Sequence, residues 1–256
     1  MVSYKSWLDT RWRFVIPLVV LVINVWGLLL EYPHIANLLR TIDIQPDALT
    51  RSGTLGRQII ETVSAEHTYR GFVWFQWFRQ NLSQLGTLCA VLLGSGSLLA
   101  GSSGAGTLFT LSLPASRNQW LLARASVGLA QTLALIVIPS LEIAVVSPTI
   151  GQQYAVSDAL VHSLCAFVVC GMFFSLAFLL STEFADIWRP LLIAGGIAIV
   201  LSLIESRYEL NGFFRVMSGS SYFFADTIPW IGLLVSAVLS LAMLYGASVN
   251  IARKDF

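Results

Sequence analysis

Along the chain, apolar residues gather into six runs separated by polar or glycine-rich stretches. The runs cover residues 14–30, 82–100, 125–146, 159–180, 187–204 and 229–249. Each approaches the roughly 20 residues that a helix needs to cross a bilayer, so the pattern predicts six transmembrane helices. Ahead of the first run, SYKSWLDTRWRF intersperses Trp7, Leu8 and Trp12 with Lys5, Arg11 and Arg13. That mixture predicts an amphipathic helix lying along the interface before the chain turns into the membrane. Residues 31–81 form a long extracytoplasmic loop, in which IANLLRTI and LGRQIIETVSAE carry apolar residues at helical spacing. At its end, GFVWFQWFRQN is interrupted by Gln76, Arg79 and Asn81 and is expected at the outer interface. The mixed polar–aromatic stretch 205–228 is a candidate to dip back into the outer leaflet.

Composition sharpens this picture. The chain has 256 residues, of which 56% are hydrophobic and 11% charged. Soluble domains carry about 25% charged residues, so the expected solvent is lipid. The formal net charge of +1 gives no electrostatic footprint for nucleic acid. Cys89, Cys165 and Cys170 fall inside apolar runs, with no disulfide or metal spacing. The first run is long for a signal sequence and ends in Glu31-Tyr32-Pro33, so an uncleaved anchor is expected. Basic residues flank both termini, and the short loop at 147–158 has none. The positive-inside rule then places both termini in the cytoplasm, in what is expected to be a bacterial inner membrane. All eight tryptophans lie near proposed interfaces, as amphipathic indoles should. No internal repeat or linker divides the chain, so residues 1–256 are expected to form a single transmembrane domain.

Chemistry-bearing residues are few. His34, His67 and His162 are scattered and read as loop or interfacial side chains, and neither HExxH nor GxSxG occurs. No catalytic residue, resident metal or bound cofactor is therefore expected. Glu142 is the one carboxylate inside a predicted span, and an intramembrane acid is a functional candidate by default. Its position near the end of its run, after Pro139, equally fits local solvation. Asn24, Gln131 and Ser175 are mid-span polar residues suited to bridging helices. Glu183, Asp186 and Arg189 share the short loop STEFADIWRP, which fits a local ion pair or a second cytoplasmic contact surface.

The glycine-rich stretch GSGSLLAGSSGAGT at 94–107 resembles a phosphate cradle but lacks its lysine. The chain has no Lys between Lys5 and Lys254, and Leu99 stands where a dinucleotide loop needs its third glycine. Its small residues instead allow close helix approach, followed by a break over 101–106. TLFTLSL then predicts a short surface helix ended by Pro114. Ser116 followed by Gln119 is a capping pattern that starts the next helix.

GTLFTLSLPASRNQWLLAR resembles the signature of the ATP-binding-cassette (ABC) type-2 permeases through Gly106, Thr107, Leu108, Leu113, Pro114, Ser116, Arg117 and Arg124. The leader and the C-terminal NIARKDF are similar to that family too, as is the predicted six-span topology. The resemblance implies an all-α permease subunit that binds no ATP itself. Two ABC ATPase subunits, carrying ATP and Mg, would dock on a coupling helix formed by Gly106, Thr107, Leu108, Leu111, Leu113, Pro114, Ser116 and Arg117. A second permease copy or paralogue would complete the exporter, and the apolar spans fit a hydrophobic or amphipathic cargo. The family commonly has acidic residues before G-T-L, where this chain has Ser102, Ser103 and Ala105. The alternative function is a non-transport membrane scaffold or sensor partnered with an ATPase.

Overall fold

In the computed structural model, the described residues are 2–41, 68–96, 117–184, 186–208 and 212–253. They are all-helical, with no strand among them. The long helices are α1 (Val2–Thr41), α2 (residues 69–94), α3 (Arg117–Val146), α4 (Val156–Glu183) and α5 (Trp188–Tyr208). After them come the short α6 (Phe213–Met217) and α7 (Ser220–Ala225), then α8 (Trp230–Arg253). Among the described residues, five segments are long and apolar enough to cross a membrane: Thr10–Ala36, Gln119–Ile150, Val156–Glu183, Trp188–Tyr208 and Trp230–Arg253.

Cross-contacts set the direction of each helix. Arg70 meets Asp158, Phe78 meets His162, and Gly94 meets Phe174, so α2 and α4 run parallel. Tyr69 bonds Ser147 while Trp77 bonds Ser140, so α3 runs the opposite way. Gln131 bonds Thr10, and Glu142 lies against Trp26, which makes α1 parallel to α3. Ser240 and Asn250 of α8 meet Ser175 and Thr182, so α8 follows α4. The bundle thus has an Arg70 end and a Gly96 end. Helix α4 is its central post and packs against α2, α3, α5, α6 and α8.

Small residues set the closest approaches, as expected where lipid offers no hydrophobic drive between helices. A Cβ on Gly94 would stand 2.4 Å from the Phe174 carbonyl oxygen and 2.9 Å from the Ala177 Cβ. Across α4 and α8, the Ser175 and Ser240 hydroxyls lie 2.7 Å apart, and the Ser240 hydroxyl also donates to the Gly171 carbonyl at 3.3 Å. Cys89, Cys165 and Cys170 are buried thiols, consistent with their reading as packing residues.

Several expectations are redrawn. The leader is not a separate interfacial helix, because α1 runs unbroken from Val2 through the first span to Thr41. IANLLRTI belongs largely to the same helix. GFVWFQWFRQN does not lie on the surface: it forms the first half of α2, with Trp74, Trp77 and Phe78 no more than 1% exposed. These two indoles therefore leave the expected interfacial belt, whereas Trp7, Trp12, Trp26, Trp188 and Trp230 are exposed. The second apolar run lies in the other half of α2, which ends at Gly94. LGRQIIETVSAE lies outside the described residues, as do residues 97–116.

Candidate functional site

A polar arrangement among the described residues surrounds a hairpin that sequence reasoning left open. Residues 212–226 enter the bundle from the Arg70 end. Met217 Sδ reaches 3.7 Å from Thr87 Oγ1, and the Phe214 ring lies 5.7 Å from that of Phe173. Both partners sit well along their helices, so α6 is re-entrant. Its N-terminus is capped by Glu205 of α5, whose carboxylate accepts from the Phe213 and Phe214 amides at 2.6 and 2.9 Å. A carboxylate there satisfies amides that have no intrahelical acceptor.

At the other end of α6, one carbonyl gathers two donors. Trp74 Nε1 donates to the Ser218 oxygen at 2.9 Å, and His162 Nδ1 lies 3.1 Å from the same atom. The acceptor fixes the tautomer: Nδ1 carries the proton, and Nε2 is left as a buried acceptor without a protein partner among the described residues. The imidazole is 0% exposed, with the Phe78 ring at 4.8 Å and the Tyr222 ring at 5.4 Å. The chain then turns at Gly219 with φ +64°, where a Cβ would stand 2.5 Å from His162 Nδ1. Only glycine meets both conditions without strain. The expectation that His162 is an interfacial residue is thus corrected.

An ionic clasp closes the hairpin. Arg70 Nε lies 2.7 Å from Asp158 Oδ2, and Arg70 Nη2 lies 3.7 Å from Asp226 Oδ1. The first is a charge contact rather than an aligned hydrogen bond, since Nε lacks a properly angled acceptor. The Tyr222 hydroxyl donates to Asp158 Oδ1 at 3.1 Å, and the guanidinium lies 5.5 Å from the Phe223 ring centroid. Burial, with Asp158 beside it, raises the Tyr154 phenol above its ordinary range. Desolvation and the bond to Asp158 also raise Tyr222, so both phenols stay neutral around pH 7. Together Arg70, Asp158, Tyr222 and Asp226 tie the starts of α2 and α4 to the end of α7.

The residues singled out from sequence lie apart from this cluster. Glu142 lies beside the Trp26 side chain across α1 and α3, and its Oε2 is buried without a partner among the described residues. Glu183 accepts from Asn250, joining the last turns of α4 and α8. Asp186 Oδ1 accepts from the Arg189 amide at 2.8 Å, and its Oδ2 pairs with Arg189 Nε at 3.1 Å. Asp186 and Arg189 therefore follow the local reading, an N-cap with its ion pair. Gln131 donates to Thr10 at 2.8 Å and Ser175 meets Ser240, so both bridge helices as expected. Gly106, Thr107, Leu108, Leu111, Leu113, Pro114 and Ser116 lie outside the described residues, and α3 begins at Arg117.

Sequence reasoning missed Arg70, Asp158, His162 and Glu205. A signal existed for two of them, since Asp158 and His162 stand one turn apart at the start of α4. No group of three or more His, Cys, Asp or Glu side chains suited to a metal occurs among the described residues. The arrangement is thus a hydrogen-bonded frame holding a re-entrant hairpin. Comparisons with protein families, with curated proteins and with solved structures find no match to this chain.

Proposed function

We propose that the chain is the membrane-spanning permease subunit of an ABC exporter, coupling a separate ATPase to outward movement or flipping of an amphipathic substrate. The observation that supports this reading is the position of the described residues that flank the motif. Gly96 at the end of α2 lies against Arg124 of α3, so the described residues on the two sides of the motif meet at one end of the bundle. A soluble ATPase docked at that end would bear on two helices at once. ATP and Mg belong to that partner, and the permease itself performs no catalysis.

In this reading α2 is the sixth span. Its polar first half is shielded by neighbouring helices, and its direction alternates with those of α1 and α3. Gln80 and Gln84 are exposed, with the exposed Leu88 one turn further along the same face of this largely buried helix. Amide side chains carry both donors and acceptors, so a second permease copy can satisfy them where hydrocarbon cannot. Both termini lie on the cytoplasmic face of the inner membrane, and the clasped hairpin faces outward.

The test is co-purification with a candidate ATPase, followed by deletion of Thr107–Pro114. Loss of ATPase recruitment with an unchanged helical spectrum is expected. Undiminished recruitment and substrate-dependent turnover would overturn the coupling role. ATP turnover without substrate movement in reconstituted vesicles would favour the scaffold or sensor reading instead.

A further inference from the structure

Glu142 is an intramembrane acid that no described residue neutralises. Its carboxylate lies beside the Trp26 side chain, and its Oε2 is buried without a hydrogen-bond partner. No ion pair among the described residues includes it. The residue sits within Gln119–Ile150, roughly 12 Å along the helix from the end of that segment. An ionised carboxylate at such depth is costly unless something offsets its charge. Glu142 is only half-buried, so the offset can come from the open side. What faces that side is chemically selective. On α3 the exposed Ile138 and Val145 stand one turn before and one turn after Glu142, on its own face. On α1 the exposed Ile23 and Leu30 flank Trp26 in the same way, and the indole itself is 46% exposed. Two apolar stripes thus run along the parallel helices α1 and α3, with an indole midway along one and a carboxylate beside it on the other.

We propose that Glu142 and Trp26 form a membrane-facing site for the ammonium group of an amphiphile, whose tail lies along the apolar stripes of α1 and α3. A carboxylate binds an ammonium through charge-assisted hydrogen bonds. Indole is the aromatic side chain that attracts cations best, and the attraction grows where water is excluded. Ile23, Leu30, Ile138 and Val145 supply the surface that a hydrocarbon tail needs. A proton would also neutralise Glu142, but it would use neither the indole nor the stripes. An uncharged or anionic amphiphile would leave the carboxylate without a counter-charge. The site does not rest on the ATPase coupling proposed above, and a failure of that coupling would leave the binding measured below unchanged.

The test uses the full chain in dodecyl maltoside micelles, which contain no ammonium, with bound probe counted by native mass spectrometry. The probes are dodecylammonium, dodecanol with the same tail and no charge, and phosphatidylethanolamine. Dodecylammonium should be retained well above dodecanol by the unaltered chain, a comparison that needs no variant to fold. E142Q is expected to weaken that retention about tenfold, the loss of one charge-assisted contact. E142D keeps the charge and should lose no more than about threefold, while W26L should lose about threefold. E31Q removes an exposed acid further along α1 and should change retention less than about twofold. Equal retention of dodecanol and dodecylammonium would show an apolar surface only and overturn the site. Unchanged binding in E142Q, the isostere of the protonated acid, would overturn it too, as would equal losses in E31Q and E142Q. Glu142-dependent retention of phosphatidylethanolamine would uphold the site with a bilayer lipid as its occupant. Glu142-dependent retention of dodecylammonium alone would uphold it with a free amine.

Discussion

Helices α2 and α5 invert the usual relation between polarity and burial. Helix α2 carries Gln76, Arg79, Gln80, Asn81 and Gln84, yet it holds Trp74, Trp77, Phe78 and Leu82, all 1% exposed or less. Helix α5 is almost wholly apolar, yet only 11% of its span is buried within the protein. In water the greasy helix would occupy the core. In lipid an apolar surface is already solvated, and polar groups must find partners inside the protein. Trp77 shows how: its Nε1 donates to Ser140 Oγ at 3.1 Å, and Ser140 in turn donates to the Ile136 carbonyl at 2.7 Å.

The sharpest way to break this contrast is a charge on the outer face of α5. Ile199 is 63% exposed near the middle of that helix. Ile199→Asp should cost about 3 kcal/mol of insertion free energy, read as lost protease protection or a lower membrane-integrated fraction. Normal insertion would mean that this face does not meet lipid. Next in size is Gly94→Ala in α2, whose new methyl meets the Phe174 carbonyl and Ala177 with no flexible side chain to yield. A loss of about 2 kcal/mol is expected in detergent unfolding. Trp77→Phe removes one buried hydrogen bond and should cost about 1 kcal/mol in the same assay. The smallest effect belongs to Ile199→Ala, which exchanges one lipid-facing group for another. Its unfolding midpoint should move by less than the equivalent of about 0.5 kcal/mol; a larger loss would place Ile199 in a protein contact.

Five long apolar helices were legible because a lipid-facing helix must be apolar nearly all round. Helix α2 was half-legible for the complementary reason: its glutamines argue against lipid, but sequence does not say that α3, α4 and α6 will surround it. The hairpin was readable only as a mixed stretch. Its depth depends on Glu205 capping Phe213 and Phe214 and on Ser218 receiving Trp74 and His162, and the last two contacts join segments far apart in the chain. The turn residues were more transparent, since Asp186 and Arg189 act within three residues of each other. Glu142 was legible as an intramembrane acid, but the indole beside it was not, because Trp26 lies on another helix.

One feature of α2 bears on motion. From Trp74 to Gly86 it is wound as a π-helix of 13 residues, far longer than the single-turn bulges common in proteins. Each return from i→i+5 to i→i+4 bonding would advance the downstream helix by one residue, or about 100° of rotation. Such a turn would swing Gly94 away from Phe174 unless the opposite end gave way at Trp74 and Ser218. The helix is thus a screw held at both ends, and releasing either end converts a change of winding into rotation of the other.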